Sequence, residues 1–189
     1  YYLMKLKRFD YKIINSTNDL AIKLIKYSKN KSGIIVAEKQ KKGRGRYGKK
    51  WISYKGNLFV SIFFPISNVR LSLTELTTIN CLLVKKVVSN FYKGKIFIKK
   101  PNDLLINKKK ISGILQEVFH YSGDKFVIVG IGINLIKSPK IASYPTTNLS
   151  DLTNLKISCN TVVFRLKKTY EKFIPILLRS NIKNIYKFK

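Results

Sequence analysis

The segment Gly43-Arg44-Gly45-Arg46-Tyr47-Gly48-Lys49-Lys50-Trp51 packs glycines and cations more tightly than any other stretch of the chain. Its glycines allow the backbone to curl closely round a ligand, and its cations supply charge for a phosphate or a carboxylate. The spacing matches G-x-G-x-x-G, but a dinucleotide loop needs an apolar strand just before it and a helix opening inside it. Here Lys39-Gln40-Lys41-Lys42 precedes the motif and Trp51-Ile52-Ser53 leads into a strand, so that reading fails. A protein-kinase loop fails as well, because no H-R-D or D-F-G segment follows. The bland alternative is a solvated basic loop.

Two further segments carry the same chemistry. Lys99-Lys100-Pro101-Asn102-Asp103-Leu104 contains a good turn sequence, and Lys110-Ile111-Ser112-Gly113-Ile114-Leu115-Gln116-Glu117 follows it. As a regular strand, the second part puts Lys110 and Ser112 on one face while Gly113 removes a side chain from the other. A lysine at the mouth of such a strand, with a glycine inside, suits a small anionic ligand lying near the backbone; an edge-strand lysine is the alternative. In Val127-Ile-Val-Gly130-Ile-Gly132-Ile-Asn134-Leu135, period two lines Gly130, Gly132 and Asn134 along one face. Two consecutive glycines on a face leave a trough for a flat ring or an alkyl chain, with the Asn134 amide beside it. A tight strand-to-helix packing site would look the same.

The elements that must position these segments follow from periodicity. Tyr11–Ile14, Gly33–Ala37 and Asn57–Phe64 read as strands, the last closed by Pro65. Ser16-Thr17-Asn18-Asp19 offers N-cap chemistry for a helix with Leu20, Leu24 and Tyr27 on one face. Ser72–Tyr92 carries a long helical pattern in Leu76, Ile79, Leu83 and Val87. Four strands are expected at Lys95–Lys99, Leu104–Ile106, Lys110–Tyr121 and Lys125–Asn134, then a helix from Thr161 to about Ile174, ended by Pro175. Strands gathered in the middle, with helices before and after, predict an α/β chain of the α+β type: a mixed sheet covered by helices.

Composition narrows the function classes. The 189 residues fit one domain, 1–189, with no internal repeat or linker. The net charge of +29 attracts polyanions, yet the lysines are spread along the whole chain, as compositional drift would spread them. A single histidine, His120, argues against a Ser/His/Asp hydrolase or a multi-histidine metal site, and nine Asp and Glu offer no acidic cluster. Any catalysis must lean on cations, backbone amides and hydroxyls. Two cysteines, Cys81 and Cys159, form no disulfide framework, and no signal peptide or transmembrane stretch is visible; a cytoplasmic location is expected.

In order and spacing, these segments resemble the biotin–protein ligase family over roughly residues 9 to 175. Ser16-Thr17-Asn18 resembles its S-T-N, and Glu38-Lys-Gln40 with Gly43–Arg46 its E-x-Q-x-x-G-R-G-R loop, with Trp51 at the loop-closing tryptophan. Pro101-Asn102-Asp103, Lys110-x-x-Gly113-Ile-Leu and Gly130-Ile-Gly132-Ile-Asn134 resemble its P-N-D, K-x-x-G-I-L and G-x-G-[IL]-N. Thr146-Thr147-Asn148-Leu149 resembles its A-T-S-L more faintly. Lys100 departs from the family, which commonly carries a tryptophan there. The resemblance is to the catalytic domain, with neither a DNA-binding domain ahead of Ser16 nor the small C-terminal β-barrel expected.

What the resemblance implies is a fold of the class II synthetase and biotin-ligase type and an ATP-dependent ligase. Biotin and ATP, with magnesium, would give biotinyl-adenylate, and biotin would then pass to a lysine of an acidic carboxyl carrier domain. Lys110 and Arg46 become the catalytic candidates, Lys110 bridging carboxylate and α-phosphate, Arg46 closing over the adenylate. Ser16, Thr17, Asn18 and Gln40 are expected to bind biotin, Gly43, Arg44, Gly45 and Trp51 to form the closing loop. Gly113, Gly130, Gly132 and Asn134 would shape the floor, with Asn102 and Asp103 beside it. Asp103 is open between orienting a lysine and assisting magnesium; a homodimer is also open, specific DNA binding is not expected, and no residue is assigned as a metal ligand. The rivals are a lipoate or octanoate ligase or transferase, whose arginine-arginine and triple-glycine segment is missing here, and a non-catalytic basic nucleic-acid-binding protein.

Overall fold

The computed structural model describes residues 4–179. Seven strands form one mixed sheet: β1 (Lys7–Ile14), β2 (Gly33–Gln40), β3 (Leu58–Pro65), β4 (Phe97–Lys99), β5 (Asp103–Ile106), β6 (Lys109–Tyr121) and β7 (Asp124–Ile133). Their order is β1-β2-β3-β7-β6-β5-β4, parallel between β1 and β2 and antiparallel elsewhere. Helix α1 (Thr17–Tyr27) makes the crossover that the parallel pair requires, and it covers one face of the sheet. Helices α2 (Leu73–Val88) and α4 (Cys159–Arg179) cover the other, with the short α3 (Leu149–Thr153) between them in sequence. The central strands β3 and β7 are buried on both faces and accordingly read as near-continuous apolar runs.

The mixed sheet flanked by helices is therefore as expected, with three local corrections. The fully buried residues of α1 are Thr17, Asn18, Ala21 and Ile25; Leu20 and Leu24 pack against the core only partly buried, and Tyr27, expected on their face, is 83% exposed. The helix turns its small and polar first residues inward because the sheet beneath that end supplies polar partners for them. Helix α4 does not end at Pro175 but runs through it to Arg179. Phe173, Ile174 and Leu177 are buried on either side of the proline, and that packing outweighs the lost backbone hydrogen bond.

The third correction lies in β6. The register against β5 shifts between Leu104, opposite Ser112, and Leu105, opposite Lys110, which leaves Ile111 as the extra residue of a bulge. Lys110 thereby moves onto the face of Gly113 rather than that of Ser112. A methyl group built on Gly113 would lie 3.4 Å from Lys110 Nζ, whereas Ser112 is buried and donates to the Gly132 carbonyl. Among the described residues, no helix is long and apolar enough to cross a membrane.

Candidate active site

The bulge matters because it aims a cation at a cavity on the α1 face of the sheet, about 330 Å³ in volume. Facing residues of antiparallel neighbours share a face, and here Lys99 of β4, Asp103 of β5, Gly113 of β6 and Gly132 of β7 stand in one row across four strands. The row passes from two glycines at the centre of the sheet, through a carboxylate, to a lysine on the edge strand. Lys110 Nζ sits over it, 2.9 Å from Asp103 Oδ1. The same ammonium lies 5.3 Å from the ring centroid of Trp51 and 5.1 Å from that of Tyr144, held between two aromatic faces.

Both glycines of β7 are needed for close approach. A Cβ on Gly132 would come within 2.4 Å of the Trp51 indole, and one on Gly130 within 2.5 Å of the Asn18 side chain. The trough is thus walled by Trp51 at one end and by the start of α1 at the other. Ser16 caps α1, accepting from the Asp19 amide at 3.3 Å. The Thr17 amide and hydroxyl both donate to Gln40 Oε1, at 2.9 and 3.1 Å. The Asn18 amide donates to the Leu115 carbonyl and to Glu117, while its oxygen accepts from the buried Ser61 hydroxyl of β3. Four elements therefore fix three small polar side chains at the cavity wall, although only α1 carries them.

The glycine-arginine loop is a small antiparallel excursion after β2, closed by Trp51 N donating to Gly43 O at 2.9 Å and Gly45 N to Lys49 O at 2.6 Å. Its two arginines have different partners. Arg44 bonds both oxygens of Glu117, at 2.8 and 2.9 Å, and Asp19 at 2.7 Å, and the Glu117 carboxylate holds its guanidinium still more firmly protonated. Arg46, at the tip, donates to the Tyr47 hydroxyl at 2.8 Å and stacks on that ring, with Tyr47 at φ 54°. Arg44 is an anchor; Arg46 is a charge presented at the cavity.

The candidate residues from sequence converge on this cavity with two exceptions. Gly43 lies at the base of the loop, where a Cβ would meet the Trp51 carbonyl at 2.6 Å. Asn134, just beyond β7, turns away and donates to the Thr147 carbonyl at 3.1 Å; it borders only a small cleft behind Trp51. Sequence reasoning missed Tyr144, which belongs to a loop without periodicity. That loop is held against β6 by Lys110 N donating to Pro145 O and Thr147 N to Lys110 O. It also missed Glu117, although Gly113, Leu115 and Glu117 alternate onto one face and could have been found by period two.

Magnesium is a separate matter. Among the described residues no group of three His, Cys, Asp or Glu side chains could hold a metal, and the one carboxylate lining the cavity, Asp103, is paired with Lys110. The donor set does not form a resident metal site.

Against known proteins, residues 11–134 match the model of the biotin/lipoate A/B protein ligase family. The chain is 33% identical over 126 residues to the bifunctional ligase/repressor BirA of Escherichia coli, covering 65% of this chain and 39% of that protein. It is 30% identical over 168 residues to BirA of Bacillus subtilis, covering 85% and 51%. The chain thus spans about half, or less, of the length of these relatives. The biotin protein ligase of Aquifex aeolicus, solved in complex with biotin and ATP, superposes with a TM-score of 0.80 at 28% identity over 97% of this chain and 75% of that one. With the matched span running from within β1 to the end of β7 and carrying every residue that lines the glycine-floored cavity except Tyr144 and Pro145, the chain belongs to the biotin/lipoate A/B protein ligase family.

Proposed function

We propose that this domain is an ATP-dependent biotin–protein ligase. The observation that carries the reading is the Lys110 ammonium, held by Asp103 and two aromatic rings at the end of a trough whose floor is two glycines. Such a trough admits a flat bicyclic ring and its alkyl chain, and places their terminal carboxylate at a cation. The names of the relatives, BirA and biotin protein ligase, support biotin as that ligand.

In the first step a biotin carboxylate oxygen attacks the α-phosphorus of ATP. The bond to the β-phosphate oxygen breaks, and pyrophosphate leaves with the electron pair. Two anions must meet, so a preorganised cation between them lowers the barrier more than it stabilises either reactant. Lys110 occupies that position, and Asp103 aims it. Thr17, Asn18 and Gln40 hold the ring end; Arg46 and its loop close over the adenylate and exclude water. Magnesium arrives, on this reading, with the nucleotide as part of the substrate. In the second step a carrier lysine amine attacks the acyl carbon, AMP departs and the amine loses a proton. The carrier is an acidic biotin carboxyl carrier domain, drawn by the +29 charge, and the free thiols of Cys81 and Cys159 suit a reducing cytoplasm.

The test is mass spectrometry of the protein incubated with biotin and MgATP, beside lipoate in place of biotin. Biotinyl-AMP formation with biotin is expected. An acyl-adenylate formed with lipoate alone, or ATP turnover indifferent to either acid, would overturn the assignment.

A further inference from the structure

The two aromatic rings that flank the Lys110 ammonium come from different loops, Trp51 from the glycine-arginine loop and Tyr144 from the segment after β7. The chain between Trp51 and β3 joins those loops. Asn57, one residue ahead of β3 and 1% exposed, accepts with its side-chain oxygen from three consecutive amides, those of Leu135, Ile136 and Lys137, at 3.0, 3.0 and 3.2 Å. Its amide nitrogen donates back to the Lys137 carbonyl at 2.6 Å. Two neighbours add to the grip. Gly56, at φ 92°, leaves room for the Ile136 side chain, which would collide with a methyl group there. Lys137 Nζ lies 4.8 Å from the centroid of the Tyr54 ring. Residues 54–57 thus clasp residues 135–137 by three separate contacts. The clasped segment leads directly to Lys110. Two residues beyond Lys137, the Pro139 carbonyl accepts from the Thr146 hydroxyl. The residues on either side of Thr146 are bonded to Lys110, the Pro145 carbonyl accepting from its amide and the Thr147 amide donating to its carbonyl.

We propose that Asn57 is a positioning residue for adenylate formation: it fixes the loop 135–147 so that Tyr144, with Trp51, holds the Lys110 ammonium in place. The inference deepens the adenylation reading and rests on it. A buried amide left without an acceptor costs more than the net worth of the bond it lost, and the Asn57 oxygen serves three. Without that oxygen, the cheapest repair is for residues 135–137 to leave the clasp for water, drawing Tyr144 away from Lys110. The ammonium then turns from the point where carboxylate and α-phosphate meet.

The experiment is a double-mutant cycle on the rate of biotinyl-AMP formation at saturating biotin and MgATP, with Asn57→Ala, Tyr144→Ala and the two combined. Misplacing a group at a reacting centre lowers the rate by about ten- to a hundredfold, and each single variant should show a loss of that order. Combined, they should lose no more than the slower single variant, because residues that act as one unit do not add. Affinity for biotin, whose ring end is held by α1, should stay near wild type. Hydrogen exchange should quicken at the Lys110 and Thr147 amides of Asn57→Ala, with the amides of β3 and β7 still protected. If Asn57→Ala folds poorly, Tyr54→Ala, which leaves the buried amides paired, takes its place in the cycle with a smaller loss and the same coupling to Tyr144. Losses that multiply in the combined variant, a Tyr144→Ala protein as fast as wild type, or unchanged exchange at Lys110 and Thr147 would overturn the proposal. The exchange measurement needs no turnover, so it separates failure of the clasp from failure of the adenylation reading, which falls only if the wild type makes no biotinyl-AMP.

Discussion

Lys110 has one carboxylate and two aromatic rings as neighbours, and its backbone is tied on both sides to the Pro145–Thr147 loop. Removing the side chain leaves those backbone bonds in place, so Lys110→Ala should fold normally while adenylate formation falls by about a hundred- to a thousandfold, the usual cost of one preorganised charge donor. Biotin affinity measured by calorimetry should fall far less than turnover; a parallel loss of both would assign Lys110 to binding alone. Gly132→Ala tests the floor. Its methyl would stand 2.4 Å from the Trp51 indole, so the ring must leave the trough, and a drop in biotin affinity with altered tryptophan fluorescence is expected. At this scale the sequence was half legible. The glycines, Lys110 and Asp103 stand out by type and spacing, but period two put Lys110 on the wrong face because a bulge leaves no mark in a lysine-rich strand. Tyr144 sits in a loop, where no periodicity exists to be read.

Among the elements, the glycine-arginine loop is fastened by its own backbone bonds and by Arg44, whose guanidinium spans α1 and β6 through Asp19 and Glu117. Arg44→Ala should free the loop: protease cleavage between residues 43 and 50 should quicken several-fold, and a biotinyl-adenylate analogue should restore protection only in part. Identical cleavage rates in the two proteins would show that the backbone bonds suffice. Helix α4 offers a pH test. Glu171 is buried and accepts from Lys167, at 2.5 Å, and from the Leu6 amide. Burial alone would raise its carboxyl pKa, yet Lys167, the Leu6 amide and Lys168 outweigh it and hold the value below the ordinary range. A carboxyl whose folded pKa is lowered adds stability that is present above its unfolded value, about 4.3, and is lost as pH falls through the folded value. Denaturation from pH 7 to pH 3 should therefore show Glu171→Gln losing less stability on acidification than wild type. The helix itself was legible from Thr161 onward, but not its course through Pro175, since local propensity says nothing of the apolar residues that pin both sides.

For the molecule as a whole, the +29 charge gives an expectation independent of any one residue. Transfer of biotin to an acidic carrier should lose about tenfold or more in kcat/KM as ionic strength passes from low to well above physiological, because exposed charges are screened beyond a Debye length. Adenylate formation, confined to the cavity, should fall less; equal salt sensitivity of the two steps would remove the charge from carrier recognition. The order of strands and helices was readable because the apolar periods are long and clean, whereas the pairing order, with β7 beside β3 and β4 at the edge, rests on contacts between distant segments that no local window contains. That pairing order has one more consequence. Lys99, Asp103, Gly113 and Gly132 each come from a different strand, and a slip of one residue in any of the three pairings sends a member of the row to the opposite face. Under the proposed function, catalytic competence is then a checkpoint on assembly: a half-folded or misregistered copy is inert, and cannot make a reactive anhydride and let it loose.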